Sequence, residues 1–224
     1  MAHKTLSFCL SVLAAANSPL LAVDSWAQEP SQDHSCTVNV ASTATIPSGK
    51  DGTTFETGWG LQAGGGFALV SSTRADRGND FYLTANFMYD KLRATNAALA
   101  QAQKADPKLA SATAAHGNFS AVTLDPTLRH HLSIRTSLYL SGGFGWFRRG
   151  VSFNGANPAT LLQANGSTLD RLAANSGAFD LGGGMNFGLT RNGGLMLYAE
   201  ARVYRGLAVN SGTTLAPFSV GVRW

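Results

Sequence analysis

Eight stretches of this chain place apolar residues at every second position, and that period restricts what the chain can fold into. Alternation with a period of two belongs to a β-strand with one apolar and one polar face. The final nine residues, Ala216–Trp224, display it most plainly. Phe218, Val220, Val222 and Trp224 share one face, with Ser219, Gly221 and Arg223 between them. The others are Thr37–Ile46, Gly58–Val70, Phe81–Asp90, Asn118–Leu128, Ile134–Phe147, Ala178–Leu189 and Leu195–Tyr204. Leu195–Tyr204 is the cleanest internal stretch, setting Leu195, Leu197, Ala199, Ala201 and Val203 against Met196, Tyr198, Glu200, Arg202 and Tyr204. Asn118–Leu128 is the weakest of the later ones, its apolar set being Val122, Leu124 and Leu128.

The connections support the same count. If the N-terminus lies in the periplasm, the outward connections are Pro47–Thr57, Lys91–Gly117, Arg148–Gly177 and Arg205–Leu215. The inward ones are Ser71–Asp80, Arg129–Ser133 and Thr190–Gly194, the last carrying Arg191-Asn-Gly-Gly194, a tight hairpin signal. Both very long connections fall on one side and the tightest turns on the other, as in outer-membrane barrels. A miscount by one strand would scramble that order. The expected fold is therefore an all-β, eight-stranded antiparallel up-and-down transmembrane β-barrel.

The first 27 residues have the form of a secretory signal. Lys4 is followed by an apolar run from Leu6 to Ala16, and Ser25-Trp26-Ala27 offers a small-x-small cleavage site. The run is too short to span a bilayer, and no later stretch reaches about 18 uninterrupted apolar residues. The expected organisation is a signal peptide over 1–27, a flexible tail over 28–36 and a barrel domain over 37–224. Sec export and insertion by the barrel-assembly machinery follow from that reading.

Alternation does not say which face points outward, because a soluble ligand-binding barrel would turn its apolar face inward. The content of the two faces decides it. The polar face carries Asp180, Glu200, Arg202 and Arg223 among glycines and serines. The interior of an eight-stranded barrel is just wide enough to be filled by side chains, so glycines there make room for Arg202 and Tyr198. The apolar face carries Trp59, Tyr89, Trp146 and Trp224 near strand ends, the places of interfacial aromatic girdles. An apolar face toward lipid and a polar lumen is the expected arrangement.

Several chemistries are disfavoured at the same stage. A net charge of +4 with 13% charged residues is too diffuse for nucleic-acid binding. The chain without its signal keeps one cysteine, Cys36, too few for a cysteine-ligated metal cluster. Gly64–Gly66 and Gly182–Gly184 do not complete a dinucleotide-binding fingerprint, and no Gly-x-Ser-x-Gly elbow is present. His116 has Ser120 and Asp125 nearby in sequence, a weak candidate triad. No cofactor, metal or catalytic residue is expected.

The segments Gly58–Gly66, Val122-Thr-Leu-Asp-Pro126, Gly142-Gly-Phe-Gly-Trp-Phe-Arg-Arg149, Tyr198–Tyr204 and Phe218–Trp224 resemble those of small bacterial outer-membrane β-barrel domain proteins. In architecture these are similar to the OmpA transmembrane domain and to OmpX. The resemblance implies an outer-membrane barrel without catalytic residues and implies that Trp224 ends an assembly signal. The chain departs from the pattern in its first strand, where an aromatic, glycine-rich segment is replaced by Thr37–Ile46.

Two groups remain as candidate sites. Asp180, Glu200, Arg202 and Arg223 form an expected lumen network, read as a structural plug, since buried charges persist only when paired. Lys91, Arg93, Arg148, Arg149 and Arg205 end upward strands, where they could contact lipopolysaccharide phosphates. Within Lys91–Gly117, the composition of Ala94–Lys104 predicts a short helix closed by Asp106-Pro107. The expected role is a structural or surface protein with a side-chain-filled lumen. A narrow channel for small solutes or hydrophobic ligands is the alternative, and a lipid-modifying barrel enzyme comes third.

Overall fold

The computed structural model describes residues 36–71, 78–155, 174–190, 194–207 and 213–224. The expected signal peptide, the expected tail before Cys36, residues 191–193 of the expected hairpin and the middle of the Arg148–Gly177 connection lie outside the described residues. Eight strands follow one another: β1 (Cys36–Ser48), β2 (Gly58–Val70), β3 (Asn79–Arg93), β4 (Ala114–Ser133), β5 (Thr136–Asn154), β6 (Ala174–Gly188), β7 (Met196–Gly206) and β8 (Thr214–Arg223). They close in chain order, every neighbouring pair antiparallel, with β8 returning to β1. The closing seam includes the last residue. Trp224 N–H donates to the Val38 carbonyl at 3.0 Å, and Val38 N–H to the Trp224 carbonyl at 2.7 Å.

The alternating faces fall where the sequence puts them. Trp59, Leu61, Phe87, Leu124, Leu140, Phe144, Leu181, Phe218 and Val220 all point away from the lumen and are exposed, Phe144 by 72%. A belt of this extent would be untenable in water and is the ordinary surface of a barrel in lipid. Among the described residues no helix is long and apolar enough to cross a membrane; the strands do the crossing.

Several strands are longer than expected, and β4 and β5 are the longest. β4 has 20 residues and β5 has 19, about twice the 9–11 needed to cross a hydrocarbon core. The register shows why the extra length was hidden. Phe87, Val122 and Trp146 lie in one outward row. One step toward the long loops the row is Tyr89, Ser120 and Arg148, and beyond it come Lys91, Asn118 and Gly150, then Arg93, His116 and Ser152. Above the apolar belt the outward face no longer needs to be apolar, so the alternation fades while the ladder continues. At the other end β4 continues to Ser133, where a turn had been expected from Arg129. The turn itself is Ser133–Thr136, with Ser133 Oγ accepting from the amides of Arg135 (3.3 Å) and Thr136 (3.1 Å).

The long connections carry short helices. α1 (Lys50–Thr54) lies between β1 and β2, and α2 (Asn96–Ala105) between β3 and β4. α2 begins two residues later than predicted because Ala94 is still paired, in a bridge with Phe55, and Thr95 caps the helix, its hydroxyl accepting from Ala98 N–H at 3.2 Å. Asp106 ends α2 and caps a 3-10 turn, Pro107–Leu109, by accepting from Lys108 N–H at 3.0 Å.

Two prolines interrupt the barrel ladder. β4 and β5 do not pair at Asp125-Pro126 opposite Gly142-Gly143, and β7 and β8 do not pair at Arg202-Val203 opposite Ala216-Pro217. Proline has no N–H to contribute to a ladder. At the first break, Gly143 N–H turns into the lumen and donates to Asp180 Oδ1 at 2.8 Å.

Candidate functional site: a filled lumen and a basic rim

The lumen is built in layers, and the central one turns on Arg202 of β7. Its Nη1 donates to Asp125 Oδ2 at 2.5 Å and to Asp180 Oδ2 at 2.6 Å, while Nε donates to Glu200 Oε1 at 2.8 Å. Nη2 reaches Ser141 Oγ at 2.9 Å and Glu200 Oε2 at 3.2 Å. Glu200 also accepts from Tyr139 OH (2.9 Å) and Gln62 Nε2 (3.2 Å), and Ser219 Oγ donates to Gln62 Oε1 at 2.8 Å. Asn86 Nδ2 completes the ring by donating to Asp125 Oδ2 at 2.6 Å. Side chains from seven of the eight strands are thereby tied across the axis.

Glycine creates the necessary space. A Cβ at Gly182 would lie 2.9 Å from Arg202 Cγ, and one at Gly184 would lie 2.6 Å from Tyr139 Oη and against the Ala199 carbonyl. These are the inward positions of β6 opposite Arg202 and Glu200. The glycine cluster is therefore the complement of the long β7 side chains, in keeping with the interior role expected for it.

The network differs from the expected one in membership. Asp180, Glu200 and Arg202 are brought together, and Asp125, which the sequence reading placed only in a doubtful triad, joins them fully buried. Arg223 faces the lumen but stands apart. The β7–β8 register sets Ser219, not Arg223, opposite Glu200, and Arg223 pairs instead with Met196 near the short-turn end. There its Nη1 donates to Asn186 Oδ1 at 2.8 Å, and its guanidinium lies 4.4 Å from the Tyr139 ring centre and 4.6 Å from that of Tyr198. Arg129 occupies the same layer, stacked 4.5 Å over Tyr82 and bonded to its hydroxyl at 3.2 Å.

Toward the long loops the lumen becomes apolar, which the sequence reading did not anticipate. Buried Asp90 accepts from Thr43 Oγ1 (2.6 Å) and Thr45 Oγ1 (2.7 Å). Met88, Leu92, Phe119, Phe147, Tyr204 and Leu215 then join a closed cluster with Phe55, which comes from the β1–β2 connection rather than from a strand. Phe55 meets Phe119 edge-on at 5.3 Å between ring centres. Over this lid, Arg149 Nη1 bonds Asp51 Oδ1 of α1 at 3.0 Å, with the guanidinium 5.3 Å from the Phe55 ring centre. Burial pushes the Asp51 carboxyl above its ordinary range, and the Arg149 charge only partly offsets this. The signal for the lid was available in the inward parity of Phe119 and Phe147, but nothing local marks Phe55 as its partner.

The expected rim cations separate by strand parity. Lys91, Arg93, Arg148 and Arg205 are exposed on the outer face. Arg149 is not: one residue after Arg148, it turns inward to clasp Asp51, which corrects its expected place among lipid-contacting residues. Lys91 and Arg93 on β3 and Arg148 on β5 flank Asn118 and His116 of β4 in one continuous patch above the apolar belt. Tyr89 OH donates to Asn118 Oδ1 at 3.3 Å, and Asn118 Nδ2 to Ser152 Oγ at 3.3 Å. Of the aromatics, Trp59, Tyr89 and Trp146 lie on the outer face toward the long-loop end, and Trp224 at the opposite end, each 42–69% exposed.

The doubtful triad is not assembled. His116 and Ser120 face outward, whereas Asp125 is buried in the lumen with Arg202. Predicted turn residues His130 and His131 are strand residues bonded to Asn79 Oδ1 (2.8 Å) and Asp80 Oδ2 (2.7 Å). Among the described residues, no group of three His, Cys, Asp or Glu side chains is placed to hold a metal ion.

No protein-family model matches the sequence, and no curated protein sequence matches it either. Solved structures do. The Neisserial surface protein A is 13% identical, with a TM-score of 0.53 over 84% of this chain and 96% of that one. The attachment invasion locus protein Ail of Yersinia pestis is 11% identical over 84% and 96%, with a TM-score of 0.45. The outer-membrane enzyme PagL is 11% identical over 83% and 97%, with a TM-score of 0.42. At these identities the likeness concerns the fold: this chain has the architecture of small eight-stranded outer-membrane barrels.

Proposed function

We propose that this protein is a non-enzymatic structural or surface component of the bacterial outer membrane, a barrel that does not conduct. One observation carries the reading: the lumen is filled twice over, by the Arg202 network at its middle and by the Phe55 lid toward its long loops. A conducting pore needs a continuous wet path, and two packed layers oppose one. Reconstitution in planar bilayers tests it. Wild-type protein is expected to give no steady unitary currents, and steady currents altered by Glu200→Gln would replace the plug with a narrow channel. Total lipid analysis after overexpression is expected to show unmodified lipid; a new lipid species would make the protein an enzyme.

The outer-face cations support a contact with lipopolysaccharide phosphates. Lys91, Arg93 and Arg148 stand just above the apolar belt, with hydrogen-bonding neighbours between them. Lys91→Gln/Arg93→Gln/Arg148→Gln should reduce co-purifying lipopolysaccharide, whereas Arg149→Gln, whose side chain turns inward, should not. Equal loss in both variants would count against a site on the outer face.

A further inference from the structure

The short-turn end of the lumen holds a small polar cavity. Arg129, Arg223 and Arg202 line it with Thr37, Tyr82 and Tyr139, and no carboxylate is among its lining residues. Arg202 is saturated by three carboxylates, but the other two arginines are not. Arg129 and Arg223 are 4% and 7% exposed, and each keeps a buried Nε–H without a partner. Thr37, 5% exposed, has its only side-chain polar atom unpartnered as well. A buried guanidinium without its full set of acceptors is costly, and two of them in one layer repel.

The other charges of this layer do not satisfy them. Asp80, opposite Arg129 in the β3–β4 register, is bonded to His131 at 2.7 Å. Glu200 is held by Arg202, Tyr139 and Gln62. The faces of Tyr82, Tyr139 and Tyr198 soften the two cations but leave their Nε–H groups unbonded.

We infer that this cavity is a binding site for a small inorganic anion of about chloride size, held between Arg129, Arg223 and Thr37. The space is small, which favours a monatomic anion over phosphate or sulfate. Its three ligand residues lie on β4, β8 and β1, so the anion also bridges the seam where the first and last strands close the barrel. Its effect is on closure, and it holds whether or not the lumen conducts.

The test uses the folded barrel in detergent, unfolded by heat in sodium chloride and in sodium gluconate at equal ionic strength. Chloride is expected to raise the midpoint over gluconate, with the folding constant growing about tenfold for each tenfold rise in chloride above its Kd. Arg129→Gln/Arg223→Gln should remove the difference between the salts. Should that variant not fold, wild-type crystals soaked in sodium bromide supply the second readout, an anomalous peak between Arg129, Arg223 and Thr37. Equal midpoints in the two salts, or a cavity without a bromide peak, would overturn the site and make its occupant water.

Discussion

Arg202 bonds three carboxylates at once, so removing it differs in kind from removing any one of them. Arg202→Met leaves Asp125, Asp180 and Glu200 facing one another in a dry interior and should destabilise the barrel by about 3–5 kcal/mol. Glu200→Gln, which retains hydrogen-bonding groups and two carboxylates for Arg202, should cost clearly less. Urea unfolding followed by tryptophan fluorescence orders the two, and an equal cost would mean that the cluster is not centred on Arg202. Gly184→Val should cost about 1–3 kcal/mol by driving Tyr139 off Glu200. At the mouth, Asp51 titrates above its ordinary 3.8 because it is buried. A raised pKa means that the clasped state binds the proton more tightly than the open one. Its stabilisation is thus full below the ordinary value and is lost as pH climbs through the raised one. In Arg149→Gln the Asp51 midpoint, read from the carboxyl carbon shift by NMR, should rise further, since its cationic partner is gone; an unchanged midpoint would dismiss the 3.0 Å pair.

At the scale of the strand, the register defines where lipid ends. Leu124 lies in the apolar belt opposite Ala85 and Phe144, whereas Ser152 lies two rows above Arg148 beside His116. Leu124→Arg should therefore cost about 2–4 kcal/mol and Ser152→Arg about 0–1 kcal/mol. Similar costs at both sites, measured by refolding into lipid vesicles, would place the membrane boundary elsewhere. This boundary also explains how much of each strand was legible. Gly58–Val70 was read to its ends because both faces are constrained along its whole length. β4 and β5 were read only where lipid imposes an apolar outer face. The segments Ala114–Gly117 and Arg148–Asn154 belong to the ladder without that constraint, so their sequence is free of the period that would reveal them.

For the whole molecule, closure is the property to test. A closed barrel resists SDS until boiled, so unheated protein should migrate apart from heated protein. Deleting Trp224, which makes two backbone hydrogen bonds to Val38 across the last seam, should weaken that difference. A chain migrating identically with and without heating would remove the barrel itself. Closure also divides what could be read from what could not. The strand count, the antiparallel order, the outward face of every strand and the inward placing of Asp180, Glu200, Arg202 and Arg223 are determined by the sequence alone, because period two and turn chemistry are local. Which inward residues meet is decided by the stagger that the strands adopt when the sheet closes, and that stagger is a property of all eight together. It carries Asp125 of β4 across the lumen to Arg202 of β7, leaves Arg223 four residues from the Glu200 level, and brings Phe55 and Asp51 from a connection over the mouth. No single strand's sequence contains those distances; only the closed cylinder does.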